Sequence, residues 1–195
     1  MELDHFYDFY GEDLFQKLRR GKRTIINLVR DCKEEISTTE DAGIQQITSR
    51  IKGPENARKK MQKKRKSNIL TLTDLAGVRV VCSYISDVYK VVDWIKARNR
   101  EIKIVEIQDY IQNPKPSGYR SVHMLLQPMQ QDVLVELQIR TIAQHAWATL
   151  EHEMHYKQKD SPVAAHKLCC CASQMAQWDE NMEQIREELK KNELQ

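Results

Sequence analysis

Two carboxylates, Asp74 and Glu136, and a larger set of cations and hydrogen-bonding side chains carry the chemistry this sequence can do. Glu136 lies in Val133–Thr141, VLVELQIRT, where Val133, Val135, Leu137 and Ile139 alternate with Leu134, Glu136, Gln138 and Arg140. Strict alternation predicts a strand with one apolar face and one polar face. The polar face presents a carboxylate, an amide and a guanidinium in a row. Similar patterning elsewhere adds Arg50, Lys52, Arg79, Lys115, Tyr119 and His123. Two carboxylates among many cations suit a divalent metal with a polyphosphate, because magnesium takes one or two carboxylates and completes its shell with phosphate oxygens. Arginine and lysine neutralise charge in phosphoryl-type transfer. A carboxylate beside an acceptor hydroxyl can serve as general base. A tyrosine next to a glycine can stack on a base, as can arginine planes. With no Gly-rich phosphate loop and no dinucleotide fingerprint, side chains would have to hold the phosphates. Two readings stand at this point: a nucleotide-handling enzyme, or a surface of structural salt bridges.

The elements that must position these residues follow from periodicity. Residues 3–36 read as helical, with Gly11 and Gly21 as candidate breaks. Ile44–Lys52 is the first strand, with Thr48, Arg50 and Lys52 on one face. Gly53-Pro54 ends it and opens a helix. Ala76–Tyr84 is β-branched and apolar on both faces, which predicts a strand covered on both sides. Arg79 interrupts it, and a charge there needs a partner or a ligand. Asp74 sits in the turn just before. Ser86 is the expected N-cap of a helix to about Arg98. Ile102–Gln108 is a third strand and Tyr119–Gln127 a fourth. The fourth has Tyr119, Ser121, His123 and Leu125 on one face, and it is expected to pair with Val133–Thr141 as an antiparallel hairpin. Thr141–Tyr156 is helical. Asp160-Ser161-Pro162 caps a last helix to Leu189, along which Leu168, Cys171, Met175, Trp178, Met182, Ile185 and Leu189 form a coiled-coil-like seam. That seam suits either the N-terminal helices or another subunit.

Composition bounds the rest. The 195 residues are 30% charged and 41% hydrophobic, as in a soluble globular chain. No apolar run approaches the ~18–20 residues of a membrane span, and the acidic, aromatic start is unlike a signal peptide. Five cysteines without C-x-x-C spacing argue against a disulfide framework and a zinc site, and fit a reducing cytoplasm. Residues 58–66 hold seven basic residues in nine positions, Arg58 and Lys60 among them. This run reads as a solvated helix end or as an anion-binding arm for polyphosphate or RNA.

Four blocks, SRIKGPENARKK (49–60), LTDLAGVRVVCSYISDVYKVVDWI (72–95), DYIQNPKPSGYRSVH (109–123) and VELQIRTIAQHAWATLEHEMHYK (135–157), resemble in order the RelA/SpoT-type synthetase family, in its small, single-domain alarmone synthetase form. The resemblance implies an α+β fold, a mixed sheet of about five strands flanked by helices, as in nucleotidyltransferases. It implies one synthetase domain over residues 1–195, with a core of about 44–157, N-terminal helices 3–36 and a C-terminal helix 161–190. The implied reaction is transfer of the β,γ-pyrophosphate of ATP to the 3′-hydroxyl of GDP or GTP, with Mg2+. Matched residue by residue, Asp74 is the metal aspartate, and Glu136 activates the 3′-hydroxyl and completes the metal site. Arg50 and Arg79 sandwich adenine. Lys52 and the basic run with Arg58 and Lys60 meet the ATP phosphates. Tyr119 stacks on guanine, and Lys115, His123 and Gln138 contact the acceptor nucleotide. Ser117 stands where many members carry asparagine. Small members imply a homotetramer built through terminal helices, in the cytoplasm and without membrane contact. A toxin branch of the family, which modifies the 3′ end of tRNA or makes adenosine alarmones, is the alternative. Neither hydrolysis nor ribosome-coupled control is expected, since the resemblance covers no such domains.

Overall fold

The computed structural model describes residues 2–39, 43–157 and 161–193. Helix α1 (Glu2–Tyr10) turns at Gly11 into α2 (Glu12–Thr39). Gly11 has φ +73°, a conformation open to glycine, and so makes the break. Gly21 makes none. It lies inside α2, where an added Cβ would stand 2.5 Å from Val133 Cγ1, so it lets the helix approach the sheet.

Five strands follow the expected pattern: β1 (Ile44–Ile51), β2 (Ala76–Cys82), β3 (Ile102–Asp109), β4 (Val122–Pro128) and β5 (Val135–Thr141). They form one mixed sheet in the order β1-β2-β5-β4-β3. β2 and β5 are parallel, and the other neighbouring pairs are antiparallel, the expected β4/β5 hairpin included. The polypeptide reaches β2 from β1 through α3 (Pro54–Lys63), with Pro54 in its first turn, and a 3-10 turn at Ile69–Thr71. Helix α4 (Ile85–Lys96) joins β2 to β3. Helices α5 (Ile142–Lys157) and α6 (Pro162–Glu193) complete the described chain.

Alternation along the strands divides the sheet into two unlike faces. Val78 and Val80 of β2, Val122, Met124 and Leu126 of β4, and Val135, Leu137 and Ile139 of β5 are buried on one face. Their core is completed by Leu18, Ile25 and Val29 of α2 and by Val88, Val91, Val92 and Ile95 of α4. The opposite face carries the polar residues.

Three expectations are corrected. Tyr119–Ser121 precede β4 instead of belonging to it. Ser86 does not cap α4, whose N-cap is Tyr84. The Ser86 hydroxyl and amide instead donate to Glu183 of α6 at 2.6 and 2.9 Å. The seam of α6 is divided, with Leu168 and Met175 packing inward toward α5 instead of on the N-terminal helices. α6 packs on α5 and α4 through Leu168, Ala172, Asp179, Glu183 and Arg186. Arg186 donates to buried Asp87 at 2.8 Å, and Thr141 donates to Asp179 at 2.7 Å. Trp178, Ile185 and Leu189 of the seam are exposed. Ser161 Oγ accepts from Ala164 N as an N-cap would, while Asp160 lies outside the described residues.

Candidate active site

Register brings the polar face together in two rows across the strands. Arg50 pairs with Gly77, Gly77 with Glu136, and Glu136 with Leu125. One pleat away, Thr48 pairs with Arg79, Arg79 with Gln138, and Gln138 with His123. The period of two puts both rows on one face. Gly77 contributes no side chain there, which leaves the floor open between Arg50 and Glu136. A cavity of about 340 Å³ lies over the rows, lined by Thr48, Ser49, Arg50, Asp74, Gly77, Val78, Arg79, Glu136 and Gln138.

Asp74 enters this cavity from the turn before β2. Its Oδ2 lies 2.9 Å from Lys52 Nζ and hydrogen-bonds Lys60 Nζ of α3. Its Oδ1 is buried and has no hydrogen-bond partner among the described residues. Burial pushes the carboxyl pKa up, but the hydrogen bonds from Lys60 and Lys52 outweigh it and hold Asp74 below the usual range. Tyr10 of α1 donates to the Lys52 carbonyl at 2.5 Å, tying the end of β1 to the N-terminal helices.

Glu136 sits at the centre of a hydrogen-bond chain. Gln138 Nε2 donates to its Oε2 at 2.8 Å, and Arg79 Nε donates to Gln138 Oε1 at 3.3 Å. His123 Nδ1 lies 3.4 Å from Glu136 Oε1, and His123 Nε2 lies 2.8 Å from the Tyr119 hydroxyl. A proton on Nδ1 would let His123 donate toward Glu136, and Nε2 can then accept from the Tyr119 hydroxyl. Burial raises the Glu136 pKa, yet His123 and Gln138 bring it below the ordinary value, so the residue is a carboxylate at neutral pH. That is the form a proton acceptor needs.

Tyr119 forms one end of an aromatic group. Tyr110 meets Tyr119 and His123 edge-on, at centroid distances of 6.1 and 5.2 Å. Lys115 Nζ stands 4.3 Å from the Tyr110 ring centroid and 4.9 Å from that of Tyr119. A cation beside two ring faces and a phenol suits a base with a polar edge. Arg50 and Arg79 lie on adjacent strands at the other side. Burial and the neighbouring Arg50 charge lower the Arg79 pKa. Two guanidinium planes this close repel each other unless an anion or a π-system lies between them.

The cavity therefore gathers Arg50, Asp74, Arg79, Glu136 and Gln138, with Lys52 and Lys60 on Asp74 and His123, Tyr119 and Lys115 following in contact. Arg58 does not join them, since its guanidinium stacks over Phe9 of α1 at 4.7 Å. Arg140 ends the polar row of β5 but is only 3% exposed, with His145 Nδ1 of α5 at 2.6 Å and its own Nε without a hydrogen-bond partner among the described residues. Burial and Arg79 lower its pKa to about 10. Gly77, Thr48 and Tyr110 also stand at the site without having been marked as site residues by sequence. A glycine inside a strand marks close approach and could have drawn notice. Thr48 shares Arg50's parity, whereas nothing local distinguished Tyr110.

A mixed sheet with one chemical face, a carboxylate on its floor, a second at its rim and cations around them is the arrangement of a nucleotide-handling enzyme. The profile of the family described as "Region found in RelA / SpoT proteins" matches residues 49–161, and the chain belongs to that family. It is 38% identical over 159 residues to the GTP pyrophosphokinase YwaC of Bacillus subtilis, covering 75% of each chain. It is 35% identical over 156 residues to the GTP pyrophosphokinase YjbM of the same organism, covering 75% of this chain and 74% of that one. The small alarmone synthetase 1 of Bacillus subtilis, solved with its product pppGpp, superimposes with a TM-score of 0.81 at 30% identity, over 89% of this chain and 95% of that one.

Proposed function

We propose that this chain is a (p)ppGpp synthetase, which moves the β,γ-pyrophosphate of ATP to the 3′-hydroxyl of GDP or GTP and releases AMP. The observation that carries the reading is the Glu136 carboxylate, hydrogen-bonded by Gln138, with His123 Nδ1 3.4 Å away, in a cavity that also holds Asp74 and two arginines. Its relatives' names, GTP pyrophosphokinase, supply the same reaction. Arg50 and Arg79 hold adenine between their planes. Lys52 and Lys60 reach the ATP phosphates from the side of Asp74. Tyr119 stacks on guanine, while Lys115 and His123 line the acceptor's sugar and phosphates. Glu136 takes the proton of the 3′-hydroxyl as its oxygen bonds to the β-phosphorus. The bond from that phosphorus to the α-phosphate oxygen breaks, and AMP leaves with the electron pair. Gln138 fixes the Glu136 rotamer, and Arg79 fixes Gln138.

The donor set fits a magnesium ion. Asp74 Oδ1 is a buried oxygen with no hydrogen-bond partner among the described residues, and Glu136 shares its cavity. Among the described residues no group of three or more His, Cys, Asp or Glu could hold a metal, so substrate oxygens would complete the shell. When bound, Mg2+ supplies charge neutralisation to the transferred phosphates.

Among the described residues no helix is long and apolar enough to cross a membrane. We place the enzyme in the cytoplasm, where ATP and guanine nucleotides are found. The exposed stripe Trp178, Ile185 and Leu189 on α6 suits a second copy of the chain, consistent with a homotetramer. The deciding experiment offers γ-labelled ATP and Mg2+ to GDP, GTP, AMP and deacylated tRNA separately. Label on GDP or GTP supports the reading. Label only on AMP or tRNA replaces it with the toxin-type activity.

A further inference from the structure

We propose that Ala172 of α6 is a positioning residue for the acceptor nucleotide, because its methyl group is the seat on which Gly118 holds the Tyr119 ring. The inference rests on the guanine-stacking role proposed for Tyr119. It concerns a helix that lies beyond residues 49–161, the stretch shared with the family.

Ala172 is 4% exposed, although its neighbours Ser173 and Gln174 are exposed. It clusters with Trp147 and Ala148 of α5, and Tyr119, Leu168 and Met175 pack on that cluster. Gly118 has φ +89°. A Cβ built on Gly118 would stand 2.4 Å from the Ala172 Cβ and within 3.8 Å of Cys169 backbone atoms. The two smallest residues thus meet across 54 positions of sequence, and the backbone of the tyrosine loop rests directly on the helix. Trp147 Nε1 donates to the Leu168 carbonyl at 2.9 Å, which fixes α6 against α5 at the same level. The loop has little slack on its other side. Gly118 N donates to Lys115 O at 2.8 Å, Lys115 N donates to Tyr119 O at 3.2 Å, and the Tyr119 hydroxyl is held by His123. A side chain larger than methyl at 172 crowds this contact and is expected to shift Gly118, and Tyr119 is the next residue. The adenine side lies on β1 and β2, and none of these packing contacts of α6 involves Arg50 or Arg79. α6 is therefore expected to act chiefly on the acceptor.

The test uses the full chain and measures steady-state transfer with GDP and ATP varied in turn, GDP binding by calorimetry without ATP, and thermal unfolding. Ala172→Leu is expected to raise the KM and Kd for GDP about tenfold, the cost of losing a base–aromatic stack, with the ATP KM changed less than about twofold. Ala172→Ser, close to alanine in size, should restore wild-type values. Arg186→Met, which loosens α6 through its contact with Asp87, should lower Tm without separating the two KM values. Equal changes in both KM values for Ala172→Leu, or no change, overturn the proposal. If the leucine variant does not fold, Ala172→Val carries the test, and failure of both to fold overturns it by making residue 172 a packing position. Absence of transfer by the wild-type chain to GDP or GTP would instead overturn the activity reading.

Discussion

Asp74 is neutralised by two lysines, and in the proposed complex a divalent ion would compete with them for its carboxylate, which makes Lys60 the most informative residue to remove. Lys52 Nζ is 2.9 Å from Asp74 Oδ2 and largely buried, while Lys60 comes from α3 and remains about a third exposed. An incoming cation of charge two takes over the neutralising role, and Lys60 is the partner with room to move. Once displaced, its charge would be free to meet the phosphates of ATP in the proposed complex. Lys60→Met keeps most of the aliphatic stem and deletes the charge. Even after the lysine swings to ~8 Å from the ion, repulsion of charge two by charge one is roughly 1–2 kcal/mol at an effective dielectric of ~40–80. The variant should therefore bind a divalent ion about 5–30 times more tightly in the absence of nucleotide. Loss of a charge-assisted phosphate contact, about 1.5–3 kcal/mol, should at the same time raise the ATP KM at least about tenfold.

The two effects have opposite signs, which protects the test from a trivial outcome. Mn2+ titration followed by electron paramagnetic resonance reads the first without turnover, and steady-state kinetics read the second. Weaker or unchanged Mn2+ binding in Lys60→Met would refute the idea that Lys60 competes with the ion for Asp74. A raised ATP KM with unchanged metal binding would leave Lys60 as a phosphate ligand alone.

Glu136→Gln should keep the fold and Tm while kcat falls by about 10²–10⁴, the usual worth of a general base, and unchanged turnover would sink that role. Tyr119→Ala should raise the acceptor KM about tenfold or more and leave that of ATP alone, so equal effects in kinetics with each substrate varied would contradict the stacking role. Burial raises the Asp179 carboxyl from 3.8 to about 6, and its Oδ1 has no hydrogen-bond partner among the described residues. Because the folded value lies above the unfolded one, the folded state favours the proton. The stabilisation is complete below about pH 3.8 and lost as pH rises through about 6. Above that the ionised residue costs on the order of 3 kcal/mol at ~1.36 kcal/mol per tenfold. Asp179→Asn should thus raise Tm by several degrees at pH 8 and by nothing near pH 4, and calorimetry at both pH values checks it. Trp178→Glu should lower the mass seen by sedimentation if α6 joins copies of the chain, and an unchanged mass would remove that stripe from the interface.

How much of this was legible in the sequence depends on whether a local period governed it. Strand parity placed Arg50, Arg79, His123, Glu136 and Gln138 on one face, because the pleat leaves no other choice once Val135, Leu137 and Ile139 are buried. The hairpin of β4 and β5 followed from the short turn between them. Helix ends were less legible. Ser86 has the composition of an N-cap, but Glu183, 97 residues away, competes for its hydroxyl. Gly21 looks like Gly11 in sequence, and only the distance to Val133 shows that one admits a neighbour while the other turns the chain.

Arg140 and α6 mark where local rules stop. Parity puts Arg140 on the chemical face, yet α5 folds over that end of β5, so the guanidinium is buried against His145 instead of lining the cavity. The heptad spacing along α6 is real, but Leu168 and Met175 of it face the domain while Trp178, Ile185 and Leu189 form an outer stripe. The inner side is chosen by Asp179, Glu183 and Arg186, whose partners Thr141, Ser86 and Asp87 lie 38 to 99 residues away. Periodicity reports that a stripe exists and says nothing of which partner covers it. In α6 these polar contacts hold the helix on its own domain, which leaves Trp178, Ile185 and Leu189 facing outward and Ala172 under the tyrosine loop. A helix that reads as an assembly element in sequence thus also reaches the site, and its inner and outer sides can be tested separately at Ala172 and Trp178.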